Sequence, residues 1–205
     1  MPSSFTSARK WSLGLAIMLS LVVAACSSKQ ESTTSQPAGP QPAGDNKIAV
    51  IETSMGTIKI ELMANEAPKT CENFEQLAEK GYYDGTIFHR VIPRFMIQGG
   101  DPKGDGSGGQ SASGRPLPNE VKPGSPFYQG GYKRGLVAMA NVGGRPETGG
   151  SQFFIMHQFN ALPPQYTIFG RVIEGMDTVD KIASATIGPN DRPVSPVRMD
   201  KVFIK

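Results

Sequence analysis

Residues 88–100 read F-H-R-V-I-P-R-F-M-I-Q-G-G and predict two short apolar strands joined by a tight turn. Because side chains alternate along a strand, Met96 and Gln98 are expected to share one face of the second strand. The hairpin places Arg90 beside these two side chains and Phe95. An arginine next to apolar groups and a neutral amide can hold a small apolar group and hydrogen-bond to what is attached to it.

A second stretch repeats this combination of an amide and an aromatic ring. In the predicted strand 152–156, Gln152 and Phe154 fall on one face, and Phe153 falls on the other with Ile155. We therefore expect Gln152 and Phe154 to emerge together, as Met96 and Gln98 do in the opening stretch.

The remaining sequence predicts further short strands and two helices. Alternating or apolar runs predict strands at 48–51, 58–62, 86–92, 95–99, 136–140, 152–156, 167–173 and 197–204. Apolar residues at helical spacing predict helices at 67–80 and 176–183, and residues 101–135, rich in Gly, Pro and Ser, predict a long loop. This pattern favours a β-barrel whose ends are covered by helices, since closure removes exposed sheet edges.

Composition limits the chain to one domain of ordinary size with extensions. With 205 residues, 38% of them hydrophobic, the chain can form a packed core, and its 24 Gly and 17 Pro indicate many turns. The net charge is +3, and removal of residues 1–25 would lower it to +1. This near-balance argues against a nucleic-acid partner, because such proteins usually carry a clustered basic surface.

The N-terminus predicts a lipoprotein signal peptide, residues 1–25. A basic pair, Arg9-Lys10, precedes the apolar run Leu13–Ala25, which is short for a membrane span but suits a signal peptide. Val23-Ala24-Ala25-Cys26 resembles the bacterial lipobox, in which cleavage precedes a cysteine that is then lipidated, for example with palmitate. An ordinary signal peptide, with Cys26 present by chance, is the alternative.

Residues 26–46 predict a disordered tether, because this Ser-, Pro- and Gly-rich segment has no large side chain that could join a core. The folded domain is therefore expected to span residues 47–205. Together these features predict a protein anchored by a lipid on Cys26 to a bacterial membrane, facing the periplasm or the exterior.

Three features that could carry other chemistry favour structural roles. Gly104–Gly109 fits the G-x-G-x-x-G pattern, but prolines at 116 and 118 follow and no helix opens, so a surface loop is the better interpretation. His89 and His157 have no further ligands at metal-binding spacing, and His89 is interpreted as a hydrogen-bonded structural residue that faces away from Arg90. Cys71 is interpreted as a small buried hydrophobe.

Four segments resemble the motifs of the cyclophilins, the peptidyl-prolyl cis-trans isomerases. They are Tyr83–Gly100, Met139–Asn141, Gly150–Ile155 and Tyr166–Val172 with Gly175-Met176. The resemblance runs in order from about residue 47 to residue 205. It implies a closed eight-stranded antiparallel β-barrel capped by two α-helices, and isomerase activity that needs no cofactor and no metal.

The resemblance also assigns roles to individual residues. It implies Arg90, Phe95 and Gln98 as catalytic residues. The residues that it implies for substrate binding are Met96, Ala140, Asn141, Gln152, Phe154, Leu162 and Tyr166.

The sequence departs from better-known cyclophilins next to Leu162. Ala161 stands where many members have tryptophan or another aromatic residue, and Tyr166 stands where many have histidine. Pro163-Pro164 replaces the usual Asp-Gly turn. High-affinity cyclosporin binding is therefore not expected.

The expected partners are proline-containing peptides and folding proteins of the cell envelope, bound by a monomer without nucleic acid and with the lipid as the only membrane contact. A non-catalytic module that binds or holds proline-containing clients is the competing interpretation. Retention of Arg90 together with Phe95, Gln98 and Phe154 disfavours it, since binding alone does not require the arginine.

Overall fold

The computed structural model describes residues 46–145 and 147–205. The predicted signal peptide, the predicted lipidation site at Cys26 and the tether as far as residue 45 lie outside the described residues. The last tether residue, Asn46, is described, and its Nδ2 donates a hydrogen bond to Oε1 of Glu61 at 3.1 Å. Within the described ranges, no helix has the length and apolar character needed to cross a bilayer.

The described chain forms one mainly β domain with two α-helices. The strands are β1 Ile48–Thr53, β2 Gly56–Leu62, β3 Arg90–Ile92, β4 Met96–Gly99, β5 Leu136–Met139, β6 Phe153–Met156, β7 Ile168–Glu174 and β8 Met199–Ile204. They form an eight-stranded sheet in the order β3-β4-β6-β5-β7-β2-β1-β8, and every neighbouring pair is antiparallel. The predicted strands, helices and loop are confirmed, with ends shifted by a few residues.

The prediction of a closed barrel is wrong, because no strand ladder joins β3 to β8 in the described chain. The predicted strand 86–92 enters the sheet only at Arg90. The residues before it meet the residues just before β8 through an isolated bridge, Ile87–Arg198, and through the Phe88 N–H, which donates to the Val197 carbonyl at 2.9 Å. The eight strands therefore form an open half-barrel whose edges are linked by a few backbone bonds.

Helix α1, Pro68–Glu79, begins as the sequence predicts, with proline in its first turn. No side chain at its own N-cap satisfies the first N–H groups. Glu120 from the long loop does so instead, since its carboxylate accepts bonds from the N–H groups of Lys69 and Thr70 at 3.1 and 2.8 Å. A carboxylate at this end also complements the helix dipole, so the loop and the helix stabilise each other.

Helix α2, Met176–Ala183, has the predicted bounds, and Val179, Ile182 and Ala183 are buried. Together with the apolar stripe of α1 they cover one face of the sheet. That face supplies Ile97, Phe153 and Ile155 to the main core, as alternation predicts.

The other face of the sheet carries a second, smaller core. Met96 and Phe154 point to this side, where they pack with Tyr132 and Tyr128 from the long loop. The predicted sharing of faces is confirmed for β4 and β6. The long loop thus folds over the second face and leaves a groove at its edge.

Candidate active site

A groove of about 660 Å³ lies on the second face of the sheet. Nine of the ten predicted site residues line it: Arg90, Phe95, Met96, Gln98, Ala140, Asn141, Phe154, Leu162 and Tyr166. The tenth, Gln152, lines an adjoining cavity that shares Gln98, Ala140 and Asn141 with the groove. The structure therefore brings the predicted residues together, although they come from segments far apart in sequence.

The apolar part of the groove has a floor and one fixed wall. Met96 and Phe154 are only 2% and 5% exposed, and β4 pairs with β6 so that the two side chains lie on the same face. The Tyr166 ring meets Phe154 edge to face, with ring centroids 5.3 Å apart. Tyr132 Oη donates to the Tyr166 carbonyl at 2.8 Å and accepts from the Tyr166 N–H at 3.0 Å. The wall formed by Tyr166 is therefore fixed by backbone contacts.

The loop before Tyr166 is also pinned to the domain. Tyr132 and Asn160 exchange two backbone hydrogen bonds, of 2.8 and 3.0 Å. Ala161 is exposed and is not part of the groove lining, so Leu162 and Tyr166 form this side of the pocket.

Two glutamines form a hydrogen-bonded chain along the polar side of the groove. Gln98 Nε2 donates to Gln152 Oε1 at 2.9 Å. Gln152 Nε2 in turn donates to the carbonyls of Gly106 and Gly108, at 3.0 and 2.8 Å. Within the described chain no hydrogen bond reaches the side-chain oxygen Oε1 of Gln98, so it can accept one from a bound peptide.

The glycine-rich loop that holds Gln152 is organised by Asp101, a fully buried carboxylate. Its oxygens accept bonds from the N–H groups of Lys103, Asp105 and Gly106, at 2.9, 3.2 and 2.7 Å. Gly106 adopts a φ of +87°, which favours glycine. These glycines therefore shape a loop beside the groove, and no helix opens after them, as the sequence interpretation expected.

Asn141 offers an acceptor inside the groove. Its Nδ2 donates to the Gln165 carbonyl at 2.9 Å, which fixes the amide, whereas its Oδ1 is buried without a hydrogen-bond partner in the described chain. A buried oxygen without a partner is costly unless a ligand or water satisfies it. The arrangement suits the N–H of an extended peptide.

Arg90 projects from β3 beside the apolar pocket, directly opposite Gln98 on β4. Its Nε donates to Oδ2 of Asp191 at 3.3 Å, and its side chain is 43% exposed. Among the described residues, no hydrogen bond or ion pair occupies its terminal nitrogens. These two groups are therefore free to donate to a bound ligand.

His89 lines the same groove as Arg90, so the prediction that the two face opposite ways is wrong. The physical reason is that residue 89 precedes β3 and is not subject to strand alternation. The prediction of a fully hydrogen-bonded histidine is also wrong, since its buried Nδ1 has no partner in the described chain. Burial lowers the pKa of His89, and the nearby Arg192 lowers it further, while Asp101 opposes this. The imidazole is therefore neutral at neutral pH.

The groove contains a wall that the sequence interpretation missed. Asn190 and Arg192 line it, and Asp191 between them contacts Arg90. These residues lie about a hundred positions from Arg90 in a short turn. The only local signal was the turn-forming sequence Gly188–Pro193.

The described residues contain no cluster that could hold a metal ion. Cys71 is buried, donates from Sγ to the Phe169 carbonyl at 3.3 Å, and burial raises its pKa to about 12. The prediction of a buried, hydrophobe-like cysteine is confirmed. The groove thus offers a cation, amides and an apolar pocket.

Comparison with known proteins identifies the family. Residues 48–203 match the family model described as cyclophilin type peptidyl-prolyl cis-trans isomerase/CLD. Peptidyl-prolyl cis-trans isomerase-like 1 of Homo sapiens is 46% identical over 154 residues, covering 75% of this chain and 89% of that protein. The protein of the same name in Gibberella zeae is 47% identical over 156 residues, covering 76% and 93%. The chain therefore belongs to the cyclophilin-type peptidyl-prolyl cis-trans isomerases, and the predicted enzyme class is confirmed.

Two further similarities bear on function. A crystal structure of a Cryptosporidium parvum cyclophilin type isomerase, determined in the presence of the dipeptide Ala-Pro, aligns with a TM-score of 0.69 and 37% identity over 77% of this chain and 98% of that one. The spliceosome-associated protein CWC27 homolog of Xenopus laevis is 46% identical over 158 residues, covering 76% of this chain but only 32% of that protein.

Proposed function

We propose that this protein accelerates rotation about X-Pro peptide bonds in folding proteins, with Arg90 as the group that stabilises the twisted bond. The observation that carries the proposal is the position of Arg90. Its terminal nitrogens have no partner in the described chain, and it borders an apolar pocket formed by Met96, Phe154 and Leu162.

Isomerisation of an X-Pro bond requires the protein to stabilise the twisted form of the amide. Twisting the amide must overcome a barrier of about 18–20 kcal/mol, and without a catalyst this takes tens to hundreds of seconds at about 25 °C. In the twisted state amide resonance is lost, and the proline nitrogen regains a lone pair that can accept a hydrogen bond. A guanidinium aimed at this nitrogen binds the twisted state more strongly than either planar state, which lowers the barrier.

The rest of the groove can restrain the proline ring and the flanking peptide. The pocket of Met96, Phe154 and Leu162 suits the proline ring, and Gln98 Oε1 and Asn141 Oδ1 can accept bonds from the flanking peptide. With ring and flanks held, binding energy directs the motion to the X-Pro bond. No covalent intermediate is needed, which suits a groove lined by amides, apolar side chains and a histidine whose pKa is lowered by burial.

The proposal also includes the cellular location of the protein and its clients. A lipid on Cys26 would anchor the domain to a bacterial membrane through the 26–46 tether, and the clients would be folding proteins of the cell envelope. The support is the N-terminal sequence alone, since the relatives reported above are eukaryotic proteins. Mass spectrometry of the mature N-terminus tests it. A diacylglyceryl-modified Cys26 is expected, whereas a retained or differently cleaved signal peptide would refute the anchor.

A protease-coupled assay on a peptide containing Ala-Pro tests the isomerase role with the full chain in detergent. Arg90→Ala is expected to lose about 100-fold or more in kcat/KM, as loss of one donor to a transition state typically does. Arg198→Ala is the matched control, because Arg198 is an exposed arginine that also pairs through Nε with an aspartate, Asp200, at 2.6 Å. Near-normal rates for Arg90→Ala would refute the role of Arg90.

A non-catalytic binding function is the second candidate. Its support is the name of the Xenopus relative, which describes association with a larger assembly and no reaction. Under this alternative the wild-type chain would bind proline peptides in the groove but would not accelerate their isomerisation. The same assay, combined with a peptide-binding measurement, separates the two functions.

A further inference from the structure

We propose that Asp191 is a positioning residue for the isomerase reaction, which holds the Arg90 guanidinium in the orientation that the twisted X-Pro bond requires. This inference rests on the proposed role of Arg90 and extends it to a residue that makes no contact with the peptide itself. Asp191 acts on the reaction only through Arg90.

Asp191 binds Arg90 at the one guanidinium nitrogen that lies within the side chain, Nε. Its Oδ2 accepts from Nε of Arg90 at 3.3 Å, and both side chains are about half exposed. A bond at Nε restricts rotation of the planar guanidinium about its long side chain, but leaves both terminal nitrogens available to the substrate. A bidentate pair through the terminal nitrogens, such as Arg134 makes with Asp180, would instead occupy them.

An unusual backbone conformation presents Asp191 to Arg90. Asn190 and Asp191 have φ values of +59° and +58°, in the left-handed region, which is uncommon for residues other than glycine although Asn and Asp adopt it more readily than most. Two such residues in succession persist only where the surrounding structure enforces them, and such strain concentrates at functional sites.

The surrounding turn provides that enforcement. The Gly188 N–H donates to the Arg192 carbonyl at 2.7 Å, and the Val194 N–H donates to the Thr186 carbonyl at 2.9 Å. An isolated bridge joins Ile187 to Pro193. The base of the turn is therefore clamped, and the carboxylate at its tip is aimed at β3.

The contact between Asp191 and Arg90 contributes little to the stability of the fold. Ion pairs between half-exposed side chains are screened by solvent and contribute little to folding. The Asp191 carboxylate also offsets part of the positive charge that Arg90 offers the substrate. The position of this carboxylate beside Arg90 is therefore best explained by its effect on the orientation of the guanidinium. This explanation predicts the direction in which activity changes when the charge is removed. Removal of the charge should lower activity even though it increases the net positive potential in the groove.

The test is to measure kcat and KM separately for Asp191→Asn in the full chain. Asparagine keeps the shape of the side chain and tolerates the left-handed backbone, so the turn is preserved, while its neutral amide oxygen holds the Arg90 Nε–H more weakly than the carboxylate does. We expect kcat to fall roughly three- to tenfold while KM changes by less than about twofold, since partial misplacement costs less than the hundredfold loss that a displacement of about 1 Å can cause. The matched control, Asp200→Asn, removes the same kind of carboxylate from the Nε of Arg198 at the surface and should leave both constants unchanged.

Two further measurements connect the effect to Arg90. In nitrogen-15 spectra the Arg90 Nε proton, assigned by its absence in Arg90→Lys, should exchange faster with water in Asp191→Asn. In the Arg90→Lys background, Asp191→Asn should cause no further loss of kcat, because lysine has no Nε–H to hold.

The outcomes separate this proposal from the function on which it rests. A wild-type kcat in Asp191→Asn, or an equal loss in the Arg90→Lys background, overturns the role of Asp191. A wild-type kcat in Arg90→Lys and Arg90→Ala overturns the proposed role of Arg90 itself. A kcat that rises in Asp191→Asn would show that charge, and not orientation, dominates the contact, and it also overturns the proposal.

Discussion

Gln98 in β4 and Gln152, which immediately precedes β6, are joined by a 2.9 Å hydrogen bond between Nε2 of Gln98 and Oε1 of Gln152. Gln152 continues this chain into the glycine-rich loop through the carbonyls of Gly106 and Gly108. The polar side of the groove is therefore a relay of amides anchored in a loop, and its shape depends on Gln152.

Gln152→Met tests this relay. Methionine preserves the length of the side chain but removes both donors and the acceptor, so Gln98 loses its orientation and two loop carbonyls lose their partner. We expect KM for a proline peptide to rise about tenfold, because a single hydrogen bond that holds a ligand group is worth about 1 kcal/mol and more than one is disturbed. Gln76→Met, on the exposed face of α1, is the control. An unchanged KM would mean that the relay does not shape the groove.

The loop beside Tyr166 depends on a glycine. At Gly131, with a φ of +108°, an added Cβ would lie 2.7 Å from the Asn160 carbonyl oxygen and 2.9 Å from Cα of Ala161. Gly130 also has a positive φ, of +79°, but a Cβ there would meet nothing within 4 Å. The two positions separate backbone strain from steric overlap.

We expect Gly130→Ala to lower the free energy of unfolding by about 1 kcal/mol, and Gly131→Ala to lower it by about 3 kcal/mol with reduced activity. Urea unfolding and the isomerase assay measure the two effects. Equal losses for the two variants would contradict a close backbone contact at Asn160.

Protonation of His89 should destabilise the fold at low pH. Burial lowers the pKa of His89 in the folded state, so the unfolded chain binds the proton more readily. The stability that the neutral imidazole contributes is therefore present above the unfolded pKa of about 6.5 and is lost as the pH falls below it. The free energy of unfolding should drop more steeply from about pH 8 to about pH 5 in the wild type than in His89→Gln. Parallel pH profiles for the two proteins would contradict the buried, neutral state of His89.

Those parts of the fold and the groove that depend on local sequence patterns could be predicted from the sequence. Alternation along β4 and β6 is a property of consecutive residues, which is why the shared faces of Met96 with Gln98 and of Gln152 with Phe154 could be predicted. The same rule failed at His89, because the chain there has not yet entered the sheet and its direction is set by tertiary packing.

Relationships across long stretches of sequence could not be predicted. Asp191 reaches Arg90 from a turn 101 residues away, and nothing in either segment specifies the other. The prediction of a closed barrel was wrong for a related reason. Strand count and the advantage of hiding edges favoured a closed barrel, but Ile87 and Arg198 form only an isolated bridge where a ladder was expected. Such pairing depends on how the whole sheet curves.

Exchange NMR on a peptide containing Ala-Pro, with the full chain present as wild type and as Arg90→Ala, tests the catalytic role of Arg90 most directly. Cis–trans exchange peaks are expected for the peptide with the wild type. With Arg90→Ala we expect shifted peptide signals that report binding, but no exchange peaks. Equal exchange peaks with both proteins, or none with the wild type, would contradict the assignment of Arg90 as the group that catalyses rotation.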